Sequence, residues 1–189
     1  MSKINYTISI VSKDVEHLLK IKEFIPAIHL YYRKNGMLIA YFGSKETWKY
    51  LVGIGITPKK SRNLVFKEPI TWDFLRGLFD GDGHFRFAKP GVEWNIVSAS
   101  LYFANQVSNF LTSQDIKNSV LIKDKRTPTY AVSVRNRKGV GIIYYNMYKN
   151  DSVSLNRKKE TMRRYIEIYN VNPVNSEKVR EDNTEPSQT

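Results

Sequence analysis

The sequence predicts an α/β fold of the α+β type, built on antiparallel sheets and written as two pseudo-repeats, the first shorter than the second. Three observations carry that prediction. Short β-branched stretches alternate with amphipathic helical ones along the chain. Asn35-Gly36 and Pro90-Gly91 are hairpin signals between such stretches. Matching fragments also recur in one order: "SIVS" at Ser9 to Ser12 answers "NIVS" at Asn95 to Ser98, and "TPKKSRNL" at Thr57 to Leu64 answers "NRKKETM" at Asn156 to Met162.

Taken in order, "INYTISIV" from Ile4 alternates as a strand. A helix follows from Ser12, a candidate cap, with Val15, Leu18, Leu19 and Lys22 at helical spacing. Ile28 to Phe42 reads as a hairpin turning at Asn35-Gly36, and Ser44 to Ile56 as a helix capped by Ser44 and ended by Gly53 and Gly55. The order is β-α-β-β-α.

The second unit begins with a helix entered at Pro69 and Thr71. Asp73 suits its first turn, and Phe74, Leu75, Leu78 and Phe79 supply an apolar face. "HFRFAK" and "EWNIVSAS" pair as a hairpin, "LYFANQVSNFLTS" is an amphipathic helix, and "SVLIKD" with "TYAVSVR" forms a second hairpin. "GVGIIYYNMY" and "LNRKKETMRRYIEIY" finish helical. Residues 1–64 are therefore expected to form a partial repeat, 65–170 a complete one, and the polar stretch 171–189 a disordered tail.

Lys and Arg number 30 against 18 Asp and Glu, a formal net charge of +12 and a pI near 9.7, which favours a polyanionic partner. With no cysteine, disulfides and thiolate metal sites are excluded, and three histidines make a zinc site or a His-metal finger a poor fit. No apolar run reaches the length of a membrane span, and "MSKINYTISI" has no signal-peptide h-region, so a cytoplasmic protein is the expectation.

The helix from Trp72 ends in an unusual way. Gly77 and Gly81 lie four apart on one face and cost about 1 kcal/mol each in helix propensity, which close approach of a second helix would offset. Asp80 and Asp82 then fall at the C-terminus, where the macrodipole disfavours carboxylates. A hard divalent cation would relieve that. A plain Asp-Gly turn is the competing reading.

These residues carry a resemblance. "LRGLFDGDG", Leu75 to Gly83, resembles the LAGLIDADG signature, with Leu75, Gly77, Leu78, Asp80, Asp82 and Gly83 in register. Ile70 to about Tyr169 is similar to a whole domain of the LAGLIDADG homing endonucleases, and residues 4–64 resemble one without its motif helix. The resemblance implies the homing-endonuclease fold, in which antiparallel sheets form a saddle over the DNA major groove and motif helices meet at the interface through their small residues. It implies that Asp82 binds a divalent metal, Mg²⁺ or another such as Mn²⁺, and that Asp80 is a structural acid. It also implies a basic catalytic group leading the last helix: Lys158, with Lys159 beside it, and Lys59 in the first repeat.

Period two along "GHFRFAK" puts Phe85 and Phe87 on one side and His84 and Arg86 on the other. The same rule turns Trp94 and Ile96 inward and Glu93 and Asn95 outward, and turns Tyr130, Val132 and Val134 inward and Thr129, Ala131, Ser133 and Arg135 outward. Ribbons of this kind read bases from the major groove. Arg86, Asn95, Ser133 and Arg135 are the base-contact candidates, with His84 beside them. Arg33, Lys123, Lys125, Arg126 and Arg137 are the phosphate candidates.

The expected function is a site-specific, metal-dependent endonuclease that hydrolyses a long double-stranded DNA target. The alternative is a non-catalytic nucleic-acid binder of the same fold, an intron-splicing maturase acting on RNA or a DNA-binding regulator. Cutting both strands takes two motif helices, and this sequence has one. Three accounts meet that count: a homodimer through Gly77 and Gly81, a partner chain supplying the second helix, or descent to a protein that binds without cutting.

Overall fold

The computed structural model describes residues 6–58, 62–88, 91–124, 126, 128–150 and 153–171. Lys59, Lys125, Pro90 and all of the expected tail except Val171 lie outside them. Val171 packs on the larger core, so order runs one residue past the boundary expected for the tail.

The chain opens with β1 (Thr7–Ser12), α1 (Val15–Phe24), β2 (His29–Tyr32), β3 (Leu38–Gly43) and α2 (Lys45–Gly53). The three strands form an antiparallel sheet in the order β1-β3-β2, with Ala40 opposite both Ile10 and Leu30. Gly36, at φ +78, takes the left-handed conformation that the β2–β3 turn requires. α1 lays Leu18 against Ile28, Leu38 and Ala40, a small core of its own. Ser44 caps α2 as its spacing predicts, its hydroxyl accepting from the Thr47 amide at 3.1 Å.

Two expectations are corrected here. Ser12 is not the cap of α1; the N-cap is Asp14, whose side chain makes no capping bond, and the Ser12 hydroxyl instead accepts from the Asp14 amide at 3.0 Å. A serine hydroxyl two residues ahead satisfies the turn into the helix rather than its first N–H groups. Leu19 is largely exposed, and Ile21 joins Val15 and Leu18 in the core.

The remainder holds α3 (Trp72–Asp82), β4 (His84–Ala88), β5 (Gly91–Ser98), α4 (Leu101–Ser113), β6 (Ser119–Asp124), β7 (Thr129–Val134), α5 (Arg137–Tyr148) and α6 (Asn156–Ile168). Its antiparallel sheet runs β4-β5-β7-β6. The inward residues follow the alternation: Trp94, Ile96, Val132 and Val134 are buried, and Phe85 and Phe87 pack on the same cluster. Phe79 of α3 stacks on Trp94 at 5.5 Å between ring centroids. Burial of each such side chain stabilises by roughly 1.5–3 kcal/mol. The end of α2 joins this larger core through Leu51 and Ile54, and Phe66 is tied to α4 by both its amide and its carbonyl, which pair with the Gln106 amide group at 3.1 and 2.6 Å.

α3 packs against α5 and β5, and α6 against α5 and β4. That arrangement brings the N-terminus of α6 up to the C-terminus of α3.

Candidate nucleic-acid and metal site

Thr71 starts α3, its hydroxyl accepting from the Phe74 amide at 3.2 Å, and Leu75 and Phe79 are fully buried beneath it. Gly83 ends the helix by close approach: a Cβ there would meet the Cα and carbonyl oxygen of Phe79 at 2.6 Å. A side chain at 83 would push the helix end and β4 apart.

The two acids of this last turn lie in opposite surroundings. Asp80 is 6% exposed, and its Oδ2 accepts at 3.0 Å from the amide of Leu155, the N-cap residue of α6, satisfying that buried N–H and placing a carboxylate at the positive end of the helix. Its other oxygen, Oδ1, has no hydrogen-bond partner among the described residues. Burial pushes the Asp80 carboxyl above its ordinary value, against the opposing pull of the Leu155 amide, His17, Lys158 and Arg76. Asp82 is exposed.

Lys158 reaches the same turn from α6. Its Nζ donates to the carbonyl oxygens of Phe79 (2.5 Å), Asp80 (3.0 Å) and Gly83 (2.7 Å), so one ammonium gathers three carbonyls at the end of α3 and offsets its dipole. Burial, and then the neighbouring Arg157, push this ammonium below its ordinary value. Lys159 lies instead near the Tyr148 ring, 5.8 Å from its centroid.

A cavity of about 420 Å³ opens beside α3. Gly77, Gly81 and Asp80 of α3 line it together with Ile10 and Val11 of β1 and His17 of α1. A Cβ added at either glycine meets nothing within 4 Å, so in this chain the small-residue face is open. Across its end, Arg157 forks onto Asp14 at 3.0 and 3.2 Å, and the Asn156 amide donates to Glu16 at 2.5 Å, tying α1 to α6.

The outward face of the larger sheet collects Arg86, Arg135 and Lys123, all exposed, with His84 at its rim. Asn95 and Ser133 lie on this face as the alternation predicts, yet they are 4% and 1% exposed. Both are short side chains on the two central strands, Asn95 between His84 and Ser133 and Ser133 between Asn95 and Ser119, so they are not open to bases as the sequence reading expected. Arg126 and Arg137 are exposed, Arg137 resting 4.8 Å over the Tyr169 ring, and Arg33 is exposed in the β2–β3 turn of the other sheet. Sequence reasoning passed over Glu93, which joins Arg86 and Arg135, and Arg157. The first was legible, because Ala88 pairs with Gly91 and this register sets Arg86 opposite Glu93.

The family described as the LAGLIDADG-like domain matches residues 72–170, and the chain belongs to that family. No curated protein sequence matches it. Among solved structures, I-DmoI in complex with DNA and Ca is similar at 15% identity and a TM-score of 0.52, over 76% of this chain and 76% of that one. I-DmoI with DNA and Mn is similar at 16% identity and 0.52, over 76% and 82%. The I-SmaMI LAGLIDADG homing endonuclease bound to cleaved DNA is similar at 13% identity and 0.56, over 86% and 76%. At such identities the likeness shows the shared fold. Among the described residues, no helix is long and apolar enough to cross a membrane.

Proposed function

We propose that this chain is a site-specific, divalent-metal-dependent DNA endonuclease of homing type, hydrolysing phosphodiester bonds in a long double-stranded target. One observation carries the reading. The exposed carboxylate of Asp82 ends α3 two residues before β4, the strand that carries Arg86 onto the open basic face of the sheet. A free carboxylate thus stands beside a surface suited to a phosphate backbone.

The donor set fits a hard cation held partly by its substrate. No group of three or more metal-ligating side chains occurs among the described residues, so Asp82 would act with scissile phosphate oxygens and water, as Mg²⁺ sites commonly do. When bound, such an ion lowers the pKa of a bound water and stabilises the leaving oxygen. Lys158 is the basic group tied to this helix end, and its charge would act through the turn it caps; Lys59 is the corresponding candidate in the first repeat.

Cleavage of both strands calls for a second acidic helix end. It would come from a second copy or a partner chain, whose helix would enter the cavity between β1 and the glycine face of α3.

The test uses duplexes selected for binding in EDTA. On adding Mg²⁺ the wild-type chain is expected to cut them. Asp82→Asn should bind within about twofold yet cut at least about 100-fold more slowly, the loss typical of removing a group that stabilises transition-state charge. Cutting at the wild-type rate by Asp82→Asn would overturn the assignment.

A further inference from the structure

Glu93 is the anomaly of the open sheet face. It is an acid at the centre of a surface otherwise basic, and its side chain is only 8% exposed. Both its oxygens are engaged from opposite sides. Arg86, directly across on β4, places Nε at 3.0 Å and Nη2 at 2.9 Å from Oε2. Arg135, just past the end of β7, places Nε at 3.2 Å and Nη2 at 2.8 Å from Oε1. The two guanidiniums, Arg135 foremost, hold the Glu93 carboxyl below its ordinary value.

The stereochemistry decides what this arrangement is for. A guanidinium has five N–H donors in a planar fork. Each arginine here spends its side edge, Nε with one Nη2 hydrogen, on the carboxylate. Its outer edge, Nη1 with the other Nη2 hydrogen, forms no other hydrogen bond among the described residues, and the two side chains remain 69% and 56% exposed. That outer edge still presents two parallel N–H donors, which match O6 and N7 of guanine in the major groove. An arginine used only as a mobile phosphate contact needs no such anchoring, and here the anchoring leaves a donor edge free on each arginine. The triad keeps a net positive charge, so it still suits a polyanion.

We propose that Glu93 is a positioning residue for sequence recognition, a single carboxylate that presents Arg86 and Arg135 as paired guanine readers. The proposal rests on the duplex-DNA reading above. Because both arginines converge on one carboxylate, the guanines they read lie close together, within about three base-pair steps at roughly 3.4 Å each.

The experiment is selection of bound duplexes from a randomised library by the full chain in EDTA, followed by affinity measurement on single-base variants of the recovered site. The wild type should prefer guanine about tenfold at two nearby positions. Arg86→Ala should abolish one preference and Arg135→Ala the other. Glu93→Gln should weaken both to about threefold or less, and Glu93→Ala should remove them. Affinity for unrelated duplex should stay equal or rise in both Glu93 variants, an outcome that loss of folding would not give. If both Glu93 variants keep both preferences, the positioning role is wrong while duplex reading stands. If the wild type enriches no duplex at all, the duplex reading falls and the proposal with it.

Discussion

Asp80 and Asp82 are two positions apart and have different work, and each is tested by a single substitution. The Asp80 carboxyl sits above its ordinary value because it is buried, so the native state holds the proton more readily than the unfolded chain does. Its contribution to stability therefore falls as pH rises from the ordinary carboxylate value through the raised one, and stays low at neutral pH. Asp80→Asn keeps an oxygen for the Leu155 amide and has no charge to bury. It is expected to melt at or above the wild-type temperature at pH 7, with the difference shrinking as pH falls toward 4. A lower melting temperature at pH 7 would contradict the account. Asp80→Ala instead orphans the Leu155 N–H and should cost about 1–3 kcal/mol in urea denaturation. At this scale the sequence reading separated the two acids only by resemblance, because what distinguishes them is the arrival of α6, which no local pattern announces. The same holds for Asn95 and Ser133: alternation assigned their face, while their burial depends on side chains of neighbouring strands.

α3 was the most legible element, since Thr71, the apolar spacing and the terminal glycines are all local signals. Its glycine face makes a separable prediction. Nothing lies within 4 Å of a Cβ at Gly77, so Gly77→Ala should stabilise the isolated chain by about 1 kcal/mol through helix propensity. Gly77→Leu should leave the melting temperature at or above wild type, by the same propensity gain, yet abolish any self-association seen by sedimentation, along with double-strand cleavage. Unfolding by Gly77→Leu would show that the face is already covered. The C-terminal cap of α3 was not legible, since Lys158 comes from a helix far along the chain. Lys158→Met, which keeps the stem but removes the three donors, should lose about 1–3 kcal/mol by urea denaturation. An unchanged midpoint would mean that the carbonyls of the last turn need no partner.

At the scale of the molecule, two sheets with separate cores are joined by α2 and by the Arg157 to Asp14 fork, with the cavity left between β1 and α3. The repeat of order along the sequence foretold the two sheets. The packing of Leu51 and Ile54 into the larger core was not foretold, because apolar spacing says that a helix has a buried face but not which core receives it. The excess of 30 basic over 18 acidic residues makes a further whole-molecule prediction. Duplex binding should weaken by about 10³ to 10⁵ between 50 and 200 mM salt if six to ten phosphates are neutralised. A flat salt response would remove the backbone from the interface. The most direct measurement of the central claim maps DNA ends after the full chain is incubated with a randomised-site library in Mg²⁺, with EDTA and Asp82→Asn as controls. The account predicts discrete, sequence-aligned ends with the wild type and Mg²⁺ alone. Tight binding of that library with no discrete ends, or the same ends from Asp82→Asn, would contradict it.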